Sequence, residues 1–272
     1  MKSNNMLGRI SDFLFDLLFP VSRFESKLKG STRYREKTVT QWKRQLGLRS
    51  ATSNKILESL QIFDGHRIRG LIKAGVKSNP DIFLAENCFI SRFGEAGKSG
   101  EVIFYEFCHA AEGLKRIDDP WRAASLPPGS RIVFVDDLIG TGTQSLDFIK
   151  TRLSSTLQSS HRPCLFSVCG TPRGIKAVRD HSTFEVVCAL ELEESAFNYY
   201  DGSNKVFSPE EKQQIQELNE RLGQNFFVMG LLVAFFYSTP DNTMPFIWND
   251  GVKFQDGHGR NQSWFALLPR KS

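Results

Sequence analysis

Residues 131–144 read RIVFVDDLIGTGTQ, and no other stretch limits the fold so tightly. A short, continuous apolar run ends in two adjacent carboxylates, Asp136 and Asp137, and then turns through glycine and threonine. A strand without alternating polar positions is buried on both faces, so it belongs to a parallel sheet covered by helices on each side. The helical pattern TQSLDFIKTRLSSTLQ follows at 143–158. The same unit occurs upstream, where DIFLAENCFI at 81–90 reads as a strand, SRFGEAGKSG at 91–100 as a loop, and a helix runs from about Glu101 to Leu114. Downstream come CLFSVCGT as a strand, PRGIKAVRD as a short helix and FEVVCALEL as a further strand. Strands alternating with helices predict an α/β fold, a largely parallel sheet flanked by helices.

Before this core, residues 1–75 read as a helical N-terminal region that packs on the core or stands apart, with residues 76–272 forming the main domain. Helical spacing runs through 37–48 and 52–72, and Trp42 is placed as a core anchor. Ile10, Phe13, Leu14, Leu17 and Leu18 share one face of an amphipathic helix that docks on the core or on another chain. Acids on its polar face argue against a membrane-surface role, and no secretory signal or membrane span is recognisable. Near the C-terminus, Ser208 and Glu211 have the spacing of a capping box at the start of a charged helix.

Charge is uneven, with 15 Lys and Arg against 6 Asp and Glu in residues 1–75, and 20 against 24 in the remainder. A basic front suits either a nucleic-acid contact or a solvated helical face. Five cysteines without metal-type spacing read as reduced core residues, which points to the cytoplasm. The five histidines show no metal or catalytic spacing.

Chemistry concentrates in the two glycine loops. In a parallel sheet the carboxyl ends of the strands open on the ligand crevice, which places Asp136 and Asp137 at its mouth. Gly140, Thr141, Gly142 and Thr143 offer backbone N–H groups, hydroxyls and a helix N-terminus to an anion. Acids beside a phosphate cradle make sense when a ribose lies between them, its hydroxyls on the acids and its 5′-phosphate in the loop. An acid pair capping a helix in an unrelated α/β protein is the alternative. The loop at 94–100, GEAGKSG, is two residues short of a P-loop. It suits pyrophosphate, with Gly97 and Gly100 for close backbone approach, Lys98 for charge and Ser99 for a hydroxyl or cap; a surface turn is the alternative. Arg173, in GTPRG, is placed to reach phosphate or to serve as a cap or surface residue.

The segment 131–144 resembles the ribose-5-phosphate motif of type I phosphoribosyltransferases, with Gln144 where many members carry Thr or Ser. Combined with GKSG at 97–100, GLLVAFFYSTPDNTMPFIW at 230–248 and WFALLPR at 264–270, the chain over roughly 36–270 resembles the phosphoribosyltransferase-like effector family of bacterial conflict systems, including retron-associated members. That resemblance implies a type I phosphoribosyltransferase-like core and an anti-phage effector that handles a ribose-5-phosphate and pyrophosphate ligand by glycosyl transfer. It implies Mg²⁺, held indirectly by Asp136 and Asp137, and a phosphoribosyl or nucleotide small molecule. Partners would be a retron reverse transcriptase with its RNA–DNA product, or a winged-helix protein, through the basic N-terminal region. Asp136, Asp137 and Lys98 become the expected catalytic residues. Phe246 and Trp248 become candidates to stack on a base, with simple packing beside a Pro-rich turn as the alternative. About 30 residues between Gly100 and Arg131 leave no room for the long mobile excursion usual in type I enzymes, so a non-catalytic sensor or regulatory subunit, and a hydrolytic nucleotide glycosidase, stand as alternatives.

Overall fold

The computed structural model describes residues 21–29, 38–193, 204–222, 229–255 and 260–269. The amphipathic helix expected over residues 10–18 lies outside them. The described residues fall into two compact units, one drawn from the segments up to Asp64 and from Glu194 onward, the other being Gly65–Glu193. The division therefore comes after Asp64 and not near residue 75, and the C-terminal segment groups with the N-terminal helices.

The first unit opens with helices α1 (Val21–Leu28), α2 (Thr38–Leu46) and α3 (Ser50–Ser59), then strand β1 (Gln61–Phe63). The continuous helix expected over 52–72 is thus interrupted. Leu60 leaves the helix in an extended conformation, and Gln61 N–H bonds the Leu232 carbonyl at 2.7 Å, so a partner some 170 residues away overrides the local period.

The second unit begins with α4 (Gly65–Ser78), α5 (Pro80–Phe83), β2 (Cys88–Arg92), α6 (Ser99–Ala110), β3 (Lys115–Arg116) and a 3-10 turn at Pro120–Ser125. The first half of DIFLAENCFI is helical and only its end is a strand. Pro80 starts α5 at a position where its missing N–H costs nothing, and Leu84 N–H closes the turn on the Pro80 carbonyl at 2.8 Å. Then follow β4 (Arg131–Ile139), α7 (Thr143–Phe148) with a π-helical turn at Ile149–Leu153, β5 (Arg162–Gly170), α8 (Pro172–His181) and β6 (Glu185–Cys188). The helix expected over 143–158 is shorter because the ladder widens at Ile149, where Ser154 N–H bonds the Ile149 carbonyl.

These five strands form one sheet in the order β3-β2-β4-β5-β6, every pair parallel. The expectation of a largely parallel α/β core holds. One face packs Phe93, Ile132, Phe134, Ile139, Ile149, Leu165, Ile175 and Val178. The other carries the aromatic cluster of Phe83, Phe107 and Phe166, with Phe107 and Phe166 edge to face at 5.0 Å. Helix α4 passes close over it, for a Cβ on Gly75 would stand 2.7 Å from the Phe166 ring. Buried thiols line the sheet, and burial pushes Cys88 up to about 11 and Cys164 and Cys188 up to about 12. All five cysteines are free.

The chain returns to the first unit with α9 (Pro209–Arg221), β7 (Val233–Phe235), α10 (Pro245–Trp248) and the antiparallel pair β8 (Lys253–Gln255) and β9 (Asn261–Ser263). Strand β7 pairs in parallel with β1. The capping box at α9 forms as expected, Ser208 N–H giving to Glu211 at 2.8 Å while Glu211 N–H gives to Ser208 Oγ. Glu211 also takes Lys55 Nζ at 2.8 Å and Thr52 Oγ1 at 2.9 Å, which ties α3 to α9. At the centre of this unit Trp42 and Trp264 are fully buried, and both indole N–H groups bond the Phe246 carbonyl at 3.0 Å. Among the described residues no helix is long and apolar enough to cross a membrane.

Trp42→Ala should lower unfolding stability by about 3–5 kcal/mol, since it removes a large buried side chain and half of this shared hydrogen bond. Chemical denaturation of the full chain measures it.

Candidate functional site

Each loop of the site follows the carboxyl end of a parallel strand. Strands β2 and β4 are neighbours, Arg92 pairs with Val135, and Phe93 N–H bonds the Val135 carbonyl at 2.9 Å. The loop at 94–98 and the loop at 140–142 therefore leave the same edge of the sheet side by side. Helices α6 and α7 start directly after them, so both loops lie at positive helix ends.

Asp136 and Asp137 form the last turn of β4 before the loop and are half-buried. Asp137 N–H donates to Asp136 Oδ1 at 2.9 Å, which fixes the first carboxyl. Burial pushes the Asp136 carboxyl well above the usual carboxylate range, and the Asp137 charge pushes the same way. The Asp137 N–H and the Ser99 hydroxyl act in the opposite direction and do not cancel the rise. Asp136 therefore takes up a proton more readily than an isolated carboxylate does. The Ser99 contact also joins the two loops, because Ser99 begins α6 and faces the acid of β4.

The loop after β4 is built on close backbone contacts. Gly142 holds φ at +80° as the cap of α7. Thr143 N–H gives to Thr141 Oγ1 at 3.3 Å, and the two threonine hydroxyls are 3.0 Å apart. From below, Thr171 Oγ1 donates to the Gly140 carbonyl at 2.7 Å and accepts Gly174 N–H at 3.0 Å. A Cβ on Gly174 would lie 2.0 Å from the Gly140 oxygen, so only glycine lets α8 approach this far. Sequence reasoning took Arg173 from this segment and passed over Thr171 and Gly174. The signal was present as Thr-Pro-x-Gly, a hydroxyl cap with Pro at the first helical position. Arg173 itself is exposed in the first turn of α8.

The loop after β2 has Gly94 at φ +93° and Gly97 at φ +77°. Gly100 sits on the Phe93 carbonyl, where a Cβ would meet the oxygen at 2.0 Å. Lys98 is exposed as the cap residue of α6. Gly97 N–H gives to Glu101 Oε2 at 2.6 Å, and Glu95 pairs with Arg152 at 3.5 Å.

Around the rim, the short connection after β3 is fastened. Arg92 Nη1 donates to the Asp118 carbonyl and its Nη2 lies 4.0 Å from Asp119, whose carboxylate caps the 3-10 turn by taking Trp121 N–H at 3.1 Å. Below Asp137, the Cys169 thiol gives to the Asp137 carbonyl at 3.7 Å. Burial raises that thiol well above its usual value, the Cys188, Asp137 and Asp136 charges push the same way, and the Arg67 charge opposes them.

Of the expected residues, Asp136, Asp137, Gly97, Lys98, Ser99, Gly100 and Gly140 to Thr143 gather at this one edge. Phe246 does not offer a stacking face, for it is fully buried with its ring 6.0 Å from Trp42. Its expected role is corrected to packing, the cause being the core that closes around α10. Trp248 belongs to the same unit as Phe246, is half-buried, and gives its indole N–H to the Thr243 carbonyl at 2.8 Å.

The family model PRTase-CE matches residues 39–270. Among solved structures, orotate phosphoribosyltransferase from Aeropyrum pernix is 14% identical, over 46% of this chain and 71% of its own, with a TM-score of 0.32. The Mycobacterium tuberculosis orotate phosphoribosyltransferase, in complex with 5-phospho-α-D-ribosyl 1-diphosphate, is 12% identical over 57% of this chain and 81% of its own, with a TM-score of 0.33. Adenine phosphoribosyltransferase from Trypanosoma brucei, in complex with AMP, pyrophosphate and ribose-5-phosphate, is 13% identical over 54% and 76%, with a TM-score of 0.35. The comparison with curated proteins gives no match.

Asp136→Asn should raise the melting temperature above pH 7. A raised native pKa gives stability that is complete below the ordinary carboxylate value of about 4 and is lost as pH climbs through the native value. The gain from Asn should therefore shrink toward pH 4, as thermal melts across pH would record. Gly174→Ala should displace the Gly140 loop and lower stability, whereas Gly70→Ala, where a Cβ meets nothing within 4 Å, should not.

Proposed function

The chain belongs to the PRTase-CE family, and on that premise we propose that its phosphoribosyltransferase-like core binds a ribose 5-phosphate bearing a diphosphate and transfers the ribosyl group. The observation that supports this best is the meeting of two anion loops at one acid, with Ser99 of the first loop facing Asp136 at the head of the second. The 5′-phosphate takes residues 140–143, the ribose hydroxyls take Asp136 and Asp137, and the diphosphate takes residues 97–100.

In the reaction the C1–O bond breaks and its electron pair leaves on the diphosphate. The lone pair of an acceptor nitrogen forms the new bond to C1, and the acceptor's proton passes to Asp137. Positive charge grows on the sugar ring, which the acid pair favours while it holds the ribose hydroxyls. Lys98 and the loop amides receive the charge on the diphosphate. The donor set fits Mg²⁺: two adjacent acids, with no group of three metal-ligating side chains among the described residues, suit an ion that keeps its waters and takes its other oxygens from phosphate. Mg²⁺ bound there supplies charge to the leaving group.

The role carried over with the motif resemblance is that of an effector in anti-phage conflict, with a retron reverse transcriptase and its RNA–DNA product or a winged-helix protein as partners. Trp248 remains a candidate base-stacking residue in that proposal. One observation favours a second reading, a sensor that binds without turnover: the connection at 117–130 is short and pinned by Arg92.

The test is incubation of the full chain with labelled phosphoribosyl diphosphate, Mg²⁺ and nucleobases, followed by mass spectrometry. Diphosphate release with a new nucleotide is expected, and Asp137→Ala should slow it by about 10²-fold or more. Ribose 5-phosphate as the product would assign hydrolysis. Binding without product would favour the sensor, and the absence of both binding and product would end the proposal.

A further inference from the structure

We propose that Glu101 is a built-in occupant of the diphosphate seat and that the ligand binds by displacing it. This rests on the reading of residues 97–100 as that seat. The Gly97 N–H belongs to the proposed seat, yet it already donates to Glu101 Oε2 at 2.6 Å. An N–H engaged so closely by a carboxylate has no second hydrogen bond to give. A diphosphate entering with Glu101 in place would also meet its negative charge at short range.

The backbone of the loop is the fixed part of this arrangement. Gly100 rests on the Phe93 carbonyl and leaves no space even for a methyl group, and Gly94 and Gly97 hold positive φ. Glu101, in contrast, is an exposed side chain in the first turn of α6. It can leave by rotating about its own bonds, giving up one hydrogen bond. The second acid of the loop, Glu95, is drawn aside by Arg152 at 3.5 Å. Lys98 remains exposed and has no ion pair among the described residues. Displacing Glu101 therefore opens a seat made of the Gly97 amide, the Lys98 ammonium and the positive end of α6.

The consequence is a threshold for the ligand. A lone phosphate gains too little at the loop to expel the carboxylate, whereas a diphosphate tethered to a ribose already held by the other loop does so at high effective concentration. Glu101 thus imposes the same penalty on every diphosphate, which the linked ligand offsets through its second anchor and a free one does not.

Calorimetric titration of the full chain with phosphoribosyl diphosphate, magnesium pyrophosphate and ribose 5-phosphate tests this. Glu101→Gln keeps an acceptor of the same shape without the charge, and it should bind both diphosphates about tenfold tighter, the scale of one hydrogen bond to a charged group. Its affinity for ribose 5-phosphate should not change. Glu101→Ala should behave likewise, and thermal melts confirm that both variants are folded. Equal or weaker diphosphate binding by both variants, with the wild type binding normally, would overturn the displacement while leaving the loop as the seat. Absence of diphosphate binding in the wild type and both variants would overturn the seat and the displacement together.

Discussion

The parallel registration of β2, β4 and β5 is the constraint on which the second unit depends. Phe93 gives its N–H to Val135 and Thr171 gives its N–H to Ile139, so β4 and β5 end level at Ile139 and Gly170 while β2 ends opposite Val135, the residue before the acid pair. Each strand is followed by a helix, α6, α7 and α8. Acids placed at the end of β4 are held there by the ladder behind them, and their desolvation is a result of the same ladder. The perturbed state of Asp136 is therefore a property of the sheet as much as of the pair.

The first unit depends on a different device. Two indoles, from residues more than 200 positions apart, converge on one backbone carbonyl at Phe246. A carbonyl has two lone pairs, and here both are answered by buried N–H groups, so the centre of the unit contains a polar group with nothing left unmet. Around it α3 presents Thr52, Ser53 and Asn54 to the interior, an unusual set for a core, and Glu211 and Lys43 bond the first and the last of these.

The central sheet and the loops at 97–100 and 140–143 were legible in the sequence because they are local: apolar runs, glycines and acids at fixed offsets specify them. The capping box at Ser208 was legible for the same reason. Strand β1 was not, since its three residues continue a helical period and become a strand only through Val233–Phe235. Nor was the fate of Phe246, whose position beside a Pro-bearing turn says nothing about the indoles that enclose it. Thr171 and Gly174 fall between these cases: their cap pattern is visible, but their service to Gly140 exists only once two strands are adjacent.

The fastening of residues 118–121 by Arg92 has a kinetic meaning. A catalytic loop that swings shut imposes its own clock on each turnover, because ligand leaves only when the loop reopens. A crossover this short, tied at its start and capped at its turn, keeps no such clock. For the ligand of the proposed function, exchange on this side of the site would be paced by diffusion and by the charges at the rim.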